Sequence, residues 1–295
     1  MYVEIKKQGK KKKYYLSHSY RIGSKVKKIQ RYLGSDLNDN RLNKLKNHAE
    51  KLILEQLKKR DILEYELTRD EIEYFRKIES KIKVEHFNKK DWNRFTEEFT
   101  YNTNAIEGST VTFSEVKDLI DKEIKPENFD EIETINVASA VEFIKSTKER
   151  LSLEFIKKIH QICFNHTKSF AGRFRSVEVV IKDKEGNIMH QGASYNKVKD
   201  LLNELVVWYN RYKEKYPPLL LASVVHNQFE KIHPFQDGNG RVGRLLLNYV
   251  LIKHKYPPVN IRLKDRIKYY ETLRKYDLTG DIKFTIKFLL RQYHK

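Results

Sequence analysis

Residues 233–244, His-Pro-Phe-Gln-Asp-Gly-Asn-Gly-Arg-Val-Gly-Arg, bring several side chains that can do chemistry into one short stretch. His233 can accept a proton, and Asp237 offers the carboxylate oxygens that a divalent cation prefers. Arg241 and Arg244, three residues apart, can neutralise an anion with their guanidinium groups. This combination of a base, an acid and two arginines predicts a site for a polyphosphate with a bound divalent cation.

A turn and an apolar run accompany these side chains. The turn between the acid and the arginines consists of Gly238, Asn239 and Gly240. The apolar run at 245–252 predicts a buried helix, so the turn should lead into a helix N-terminus. Backbone N–H groups and the positive end of the helix dipole attract anions there, and glycine lets a ligand approach the backbone closely. Each feature taken singly also fits an ordinary structural role, so the prediction depends on their combination.

The stretch resembles the signature of the Fic family, His-x-Phe-x-(Asp/Glu)-Gly-Asn-Gly-Arg-x-x-Arg, at every specified position. The matching residues are His233, Phe235, Asp237, Gly238, Asn239, Gly240, Arg241 and Arg244. The resemblance implies a Fic core that transfers AMP from ATP to a hydroxyl side chain of a target protein, the chain itself included. It also implies that His233 is the general base, that Asp237 holds Mg²⁺, and that the turn and the two arginines bind the phosphates. The kinase-like Doc branch departs from Gly-Asn-Gly, so the resemblance is to the AMP-transferring branch.

A second motif lies upstream, where Thr103, Glu107 and Gly108 fit the pattern (Ser/Thr)-x-x-x-Glu-(Gly/Asn). On its own the segment is equally typical of a helix that ends at a glycine. Together with the full signature, it resembles the inhibitory helix that precedes the core in class II-like Fic proteins. The resemblance implies that Glu107 reaches Arg244 and takes the place of the γ-phosphate of ATP, because both groups bind the same guanidinium.

A β-hairpin is predicted within the helical region, with a strand at 177–181, a turn at 183–187 and a return strand at 188–190. It is either a surface hairpin without a role or the equivalent of the Fic flap. The resemblance implies that such a flap docks the target segment by strand addition. The docking residues would then be Val177, Val179, Ile181 and Ile188.

The N-terminal region is strongly basic. Residues 1–35 contain 11 Lys and Arg and one acid, Glu4, so they carry +10 of the net charge of +19. Short runs of β-branched and aromatic residues predict a β-meander here. The charge fits either a solvated surface or contact with nucleic acid, and the sequence does not choose between them.

The remaining pattern predicts a mainly α protein, with a basic β-meander at 1–35 and a helical arm at 36–95. The resemblance implies that residues 96–295 form a Fic domain, including the inhibitory helix. Predicted helices cover 36–59, 68–83, 90–102, 112–122, 130–148, 152–165, 196–215, 217–232, the run after the turn, 264–276 and 281–292. His226 is interpreted as a core histidine and Cys163 as a small buried hydrophobe. Tyr269 and Tyr270 are candidates for adenine contact, with ordinary core aromatics as the alternative.

No apolar run approaches 18 residues, so no membrane span is predicted. The N-terminus lacks the apolar core of a signal peptide, and the single cysteine fits a cytoplasmic protein. The expected partners are a protein substrate, nucleic acid at the basic region and a second copy in a homodimer. Three other functions stay open: removal of AMP with Glu107 activating a water, a nucleic-acid-binding regulator with a Fic sensor core, and an adaptor with an inactive site.

Overall fold

The computed structural model describes residues 1–9, 11–22, 25–58, 69–82, 87–122, 124–182 and 188–293. The chain divides into two compact units, Met1–Glu66 and Leu67–Lys295. This division falls inside the predicted helical arm at 36–95, so the two helices of the arm belong to different units. The predicted boundaries at 35/36 and 95/96 stay predictions.

The first unit is the predicted meander with one helix. Strands β1 (Tyr2–Gln8), β2 (Lys11–Ile22) and β3 (Lys25–Ser35) pair antiparallel in that order, and α1 (Asp39–Lys58) follows. The strands extend several residues beyond the predicted runs, because ladder pairing continues through the lysines that sequence propensity disfavours. The small core between sheet and helix consists of Leu16, Ile29, Leu33, Ala49 and Ile53.

The second unit is helical apart from one hairpin, as predicted. Its elements are α2 (Arg69–Glu79), α3 (Lys89–Ile106), α4 (Phe113–Asp121), α5 (Phe129–Ser146), α6 (Leu153–Phe164), β4 (Val180–Lys182), β5 (Ile188–Gln191), α7 (Val198–Tyr212), α8 (Pro218–Ile232), α9 (Asn239–Lys253), α10 (Arg266–Thr279) and α11 (Lys283–Tyr293). Helices α8 and α9 are buried over most of their length and form the centre on which the other helices pack. No helix in the described part of the chain has the length and apolar character needed to cross a bilayer.

Local sequence explains several helix starts. Thr112 forms a capping box at the start of α4, since its side chain accepts from the backbone of Glu115 and the Glu115 side chain accepts in return. The Ser152 side chain caps α6 by accepting from the backbone of Phe155.

The start of α8 is capped from another helix. Pro217 precedes the helix and offers no side-chain cap. Instead, the Glu79 carboxylate from the end of α2 accepts the backbone N–H of Leu220 at 3.0 Å. Burial raises the pKa of Glu79 to about 7, although hydrogen bonds from the backbone of Leu219 and Leu220 favour its charged form. A partner 141 residues away in sequence gives no local signal, so this contact could not be predicted.

Candidate active site

The residues of the predicted site converge where α8 ends and α9 begins. His233 ends α8 with a left-handed backbone (φ 52°), and Gly238 begins α9 with φ 81°. A Cβ on Gly238 would lie 2.2 Å from the Phe164 ring, so only glycine fits there. The Asn239 amide exchanges two 2.8 Å hydrogen bonds with the backbone of Phe235, which closes the loop. Asn239 therefore presents its backbone N–H, and not its side chain, to an anion.

His233 has the protonation state that a general base needs. Burial, helped by the neighbouring His190, lowers the pKa of His233 to about 4, so its ring is neutral near pH 7. Its Nδ1 lies 3.3 Å from the Glu230 carbonyl oxygen. A carbonyl only accepts, so this contact requires a proton on Nδ1. The unprotonated Nε2 is then the atom that can take a proton from a substrate.

His160 supports the loop between α8 and α9 through contacts with Asp237 and Phe235. No role was predicted for it from the sequence. Its Nδ1 accepts the N–H of Gly172 at 2.8 Å, so its Nε2 donates to the Asp237 carbonyl at 3.1 Å. The ring stacks on Phe235 with centroids 3.8 Å apart and an angle of 14°. Burial lowers the pKa of His160 to about 4, which keeps this tautomer neutral. Its spacing within a helix gave no signal of a contact made across 77 residues.

Asp237 lies at the edge of a polar cavity. One carboxylate oxygen accepts the Gly238 N–H at 2.6 Å, and the other lies 3.3 Å from the Lys168 ammonium. Burial disfavours the charged carboxylate, but the charges of Arg241 and Lys168 keep the pKa of Asp237 below its ordinary value. The cavity measures about 220 Å³ and is lined by Asn104, Glu107, Gly108, Ser109, Asp130, Glu133, Lys168, Asp237 and Arg241.

Arg241 is fixed by a partner that sequence reasoning missed. Its guanidinium pairs with the Glu133 carboxylate of α5, and both side chains are more than 90% buried. The guanidinium also lies over the Phe164 ring, 4.4 Å from its centroid. Lys168 stands 3.8 Å from the other Glu133 oxygen. Arg241 and Lys168 therefore both face the cavity, and the Glu133 carboxylate lies between them.

Arg244 is the more deeply buried of the two arginines, with 1% of its side chain exposed. Its Nε donates to the Thr103 hydroxyl at 2.7 Å, and its Nη2 donates to the Thr103 carbonyl at 3.0 Å. The same Nη2 donates to the Glu107 carboxylate at 2.7 Å. Thr103 and Glu107, taken from the short upstream motif, thus both lie against the second arginine of the signature.

Gly108 sets the direction of Glu107. The helix α3 ends at Ile106, and Gly108 follows with φ 96°. Its N–H donates to the Ala105 carbonyl and the next N–H, of Ser109, donates to the Asn104 carbonyl. This is the Schellman arrangement, which needs a left-handed residue at the glycine position. The motif glycine therefore closes the helix and leaves the Glu107 side chain directed at Arg244.

The Glu107 carboxylate occupies the predicted anion position at the start of α9. A Cβ on Gly240 would meet its Oε1 at 2.1 Å, so the carboxylate lies directly against the helix N-terminus. No side chain caps α9. The Nη1 of Arg244, 3.0 Å from the same Cβ position, is a buried donor without a hydrogen-bond partner among the described residues. An orphaned donor beside an uncapped helix N-terminus fits a phosphate group that is larger than one carboxylate.

The flap begins later than predicted. The strand expected from Val177 starts at Val180, so Val177 and Val179 lie before β4. Of the other two residues predicted to dock a target, Ile181 is in β4 opposite His190, and Ile188 begins β5. The predicted turn at 183–187 lies outside the described residues. The strand is shorter because Arg175 binds the Val177 carbonyl at 2.7 Å, outside any ladder.

Arg175 connects both ends of the hairpin to the loop that begins at His233. Its side chain is completely buried and donates to the carbonyls of Val177, Ala193 and His233, the last at 2.7 Å. It also donates to the Ile232 carbonyl at 3.4 Å. One guanidinium thus fixes the backbone before and after the hairpin relative to His233.

A second contact connects the hairpin to α10. His190 on β5 lies 3.0 Å from the Asp277 carboxylate through its Nδ1, and its ring is 5.4 Å from the His233 ring. Arg175 and Asp277 thus both hold the hairpin beside His233.

The other aromatic and titratable candidates belong to the core. Tyr269 is 1% exposed and its hydroxyl lies 3.0 Å from His226 Nε2, which gives the predicted core histidine its partner. This favours the core alternative for Tyr269, while Tyr270 is 43% exposed. Cys163 is buried as predicted, and burial raises the pKa of its thiol to about 12.

The burial of Glu230 predicts that stability depends on pH. Burial raises its pKa to about 8 from the ordinary 4.5, so the folded state keeps a proton that the unfolded state loses. We therefore expect the free energy of unfolding to fall as pH rises from 6.5 to 8, by on the order of 1–2 kcal/mol. Glu79, with a pKa raised to about 7, contributes to this fall in the free energy of unfolding only below about pH 7. The buried histidines, with pKa values lowered to about 4, act with the opposite sign only below about 6.5.

The measurement is urea unfolding of wild type and of Glu230→Gln between pH 6.5 and 8. The amide has no proton to lose, so its stability should stay flat where wild type declines, and Glu73→Gln on the surface should behave like wild type. A Glu230→Gln variant with an undiminished decline would assign the effect to another group.

Comparisons with known proteins agree with this geometry. Residues 150–251 match the sequence model of the Fic/DOC family. The chain is 32% identical over 200 residues to a protein named protein adenylyltransferase Fic from Nematostella vectensis, covering 65% of this chain and 45% of that relative. It is 27% identical over 207 residues to protein adenylyltransferase fic-1 from Caenorhabditis elegans, covering 65% and 39%. The chain thus spans less than half the length of these relatives.

Solved structures show the same fold. A Fic domain containing signaling protein from Bacteroides thetaiotaomicron aligns with a TM-score of 0.65 at 27% identity, covering 75% of this chain and 91% of that one. A structure of Fic-1 from C. elegans aligns with a TM-score of 0.63 at 21% identity, covering 88% and 76%. This chain therefore contains a domain of the Fic/DOC family, with residues 233–244 as its signature loop.

Proposed function

We propose that this protein transfers AMP from ATP to a hydroxyl side chain of a target protein. The observation that carries the proposal is a neutral histidine, His233, with Nε2 as its basic atom, one loop away from an uncapped helix N-terminus that faces a buried arginine. The names of the adenylyltransferase relatives support the same reaction.

In the proposed reaction the target hydroxyl oxygen bonds to the α-phosphorus, and the bond from that phosphorus to the bridging oxygen breaks. His233 Nε2 takes the hydroxyl proton, and pyrophosphate leaves. The N–H groups of Asn239 and Gly240 bind phosphate oxygens at the start of α9, while the N–H of Gly238 stays bound to the Asp237 carboxylate. Arg241 and Arg244 neutralise the β- and γ-phosphates as charge moves to the leaving group.

Asp237 is the residue that would hold Mg²⁺. Its carboxylate is 48% exposed and borders the cavity. Among the described residues no group of three or more metal-ligating side chains occurs. One carboxylate completed by phosphate oxygens and water is the usual Mg²⁺ arrangement, so the residues fit this ion. The ion would neutralise phosphate charge, and Lys168, now paired with Asp237, would turn to the phosphates.

The test compares ATP labelled at the α-phosphate with ATP labelled at the γ-phosphate. Protein incubated with α-labelled ATP should become labelled, while γ-labelled ATP should leave it unlabelled. Label from the γ-phosphate would instead show phosphorylation, and no label from either, even with Glu107→Gly, would contradict the proposal.

Glu107 is proposed to hold the enzyme off, because its carboxylate occupies the anion position and pairs with Arg244. A second candidate function rests on the same residue. Its side chain is 31% exposed and borders the cavity, where it could activate a water to remove AMP from a modified protein. Release of free AMP from a purified modified target would favour this reaction over addition.

The flap is proposed to dock the target through its backbone. Gly192 donates to the Val179 carbonyl at 3.2 Å, so the alternation of an antiparallel ladder turns the N–H of Val180 toward the open edge. Val180→Pro removes that donor and should lower target labelling at least ~10-fold without changing ATP affinity. Val180→Ala keeps the N–H and should label the target nearly as wild type does. Equal labelling by both variants would remove strand addition from the mechanism.

A protein substrate, a homodimer and a cytoplasmic location stay predictions.

A further inference from the structure

The β-meander of the first unit has one face against α1 and one face directed away from it. Leu16 and Ile29 point into the core with α1. Side chains alternate along a strand and cross-strand partners share a face. The ladder register therefore puts another set of residues on the opposite surface, here called the outer face: Tyr2, Glu4, Lys6, Lys13, Tyr15, Lys28, Gln30 and Tyr32.

Three tyrosines, one from each strand, lie on the outer face. Tyr15 and Tyr32 are directly paired, with ring centroids 5.3 Å apart. Tyr32 is 55% exposed and Tyr2 is 47% exposed. A surface that served only solubility would not need large rings side by side in water.

Lysines stand beside these rings. The ammonium of Lys6 lies 5.1 Å from the Tyr15 ring centroid, and that of Lys28 lies 5.7 Å from the Tyr2 centroid. Glu4 pairs with Lys28, but it is the only acid in residues 1–35, against 11 basic residues. The outer face therefore offers planar rings and positive charge at spacings of a few ångströms.

We propose that the outer face binds single-stranded nucleic acid, with bases stacked on the tyrosines and phosphates neutralised by the lysines. Stacking on exposed aromatics combined with a basic surface is how non-sequence-specific single-strand binders work. A duplex hides the faces of its bases, so it could use the lysines but not the rings. This activity is separate from the proposed AMP transfer and uses a different unit of the chain.

The experiment measures fluorescence anisotropy of the full chain with a labelled 15-nucleotide dT strand and with a duplex of the same length. The single strand should bind more tightly. Tyr32→Ala should weaken it by about 10-fold, in line with the loss of one stacked base. Tyr32→Phe keeps the ring and should bind nearly as wild type does, while Tyr74→Ala, a similarly exposed tyrosine of α2, should have no effect.

The role of the lysines is tested by the dependence of strand affinity on salt concentration. Lys6→Gln should reduce the slope of log affinity against log salt by about 0.7, the value for one phosphate contact to a single strand. His233→Ala should bind the strand normally, which separates this activity from AMP transfer. Equal affinity for duplex and single strand, or equal affinity for an acidic peptide, would overturn the proposal. So would a folded Tyr32→Ala variant with unchanged affinity.

Discussion

Glu107→Gly should raise auto-modification by ~10-fold or more over wild type. The substitution removes the carboxylate from the start of α9 and releases the Nη2 of Arg244, while the Thr103 contacts keep the guanidinium in place. An arginine on the transferring phosphates contributes ~10³–10⁵ in related phosphoryl chemistry, so its release leaves room for a large gain. The measurement is the initial rate of labelling with α-labelled ATP at matched protein concentrations.

Two controls define the cause of this gain. Glu107→Gln keeps the size of the side chain but loses its charge, so its rate should lie between wild type and Glu107→Gly. Melting temperatures should fall only slightly in both, since the carboxylate is about one-third exposed and screened by water. A Glu107→Gly variant that is folded but no faster than wild type would contradict the inhibitory role.

His233→Ala should lower AMP transfer by ~10²–10⁴, the usual contribution of a general base, and leave ATP binding nearly unchanged. The phosphate contacts belong to α9 and its arginines, which the substitution leaves in place. Single-turnover labelling and calorimetric ATP titration, both in the Glu107→Gly background, separate the two effects.

The backbone of His233 needs its own control, because alanine is disfavoured at its left-handed φ of 52°. His233→Asn accepts that conformation more readily and also lacks the base, so it should be as inactive and better folded. His48→Ala, on the exposed side of α1, should transfer AMP at the wild-type rate. Wild-type labelling by His233→Asn would show that another group removes the proton.

The sequence predicted the parts of the site that lie within one local stretch. The apolar run after Gly240 indicated α9, and the turn geometry followed from the glycines. The contact between Glu107 and Arg244 came from a family resemblance, because no periodicity links residues 137 positions apart. Separations of 108 and 58 residues likewise gave no sign that Glu133 binds Arg241 or that Arg175 binds the His233 carbonyl.

Hairpin boundaries were predicted less well for a physical reason. Val177 and Val179 have the β-branched side chains that favour strands, yet β4 begins after them. Arg175 binds the carbonyls of Val177 and Ala193, which a longer ladder would use. The predicted turn at 183–187 lies outside the described residues.

The link between α3 and α9 has a consequence for how such an enzyme would be controlled. Glu107 and Arg244 belong to the same unit, so dilution cannot separate them, and the closed fraction does not depend on protein concentration. Under the proposed inhibition, the apparent affinity for ATP equals the intrinsic affinity multiplied by the open fraction. Substitutions along α3 that change only its packing would then reset this fraction. The basal rate could thus be tuned over a wide range while every residue of the signature loop stays the same.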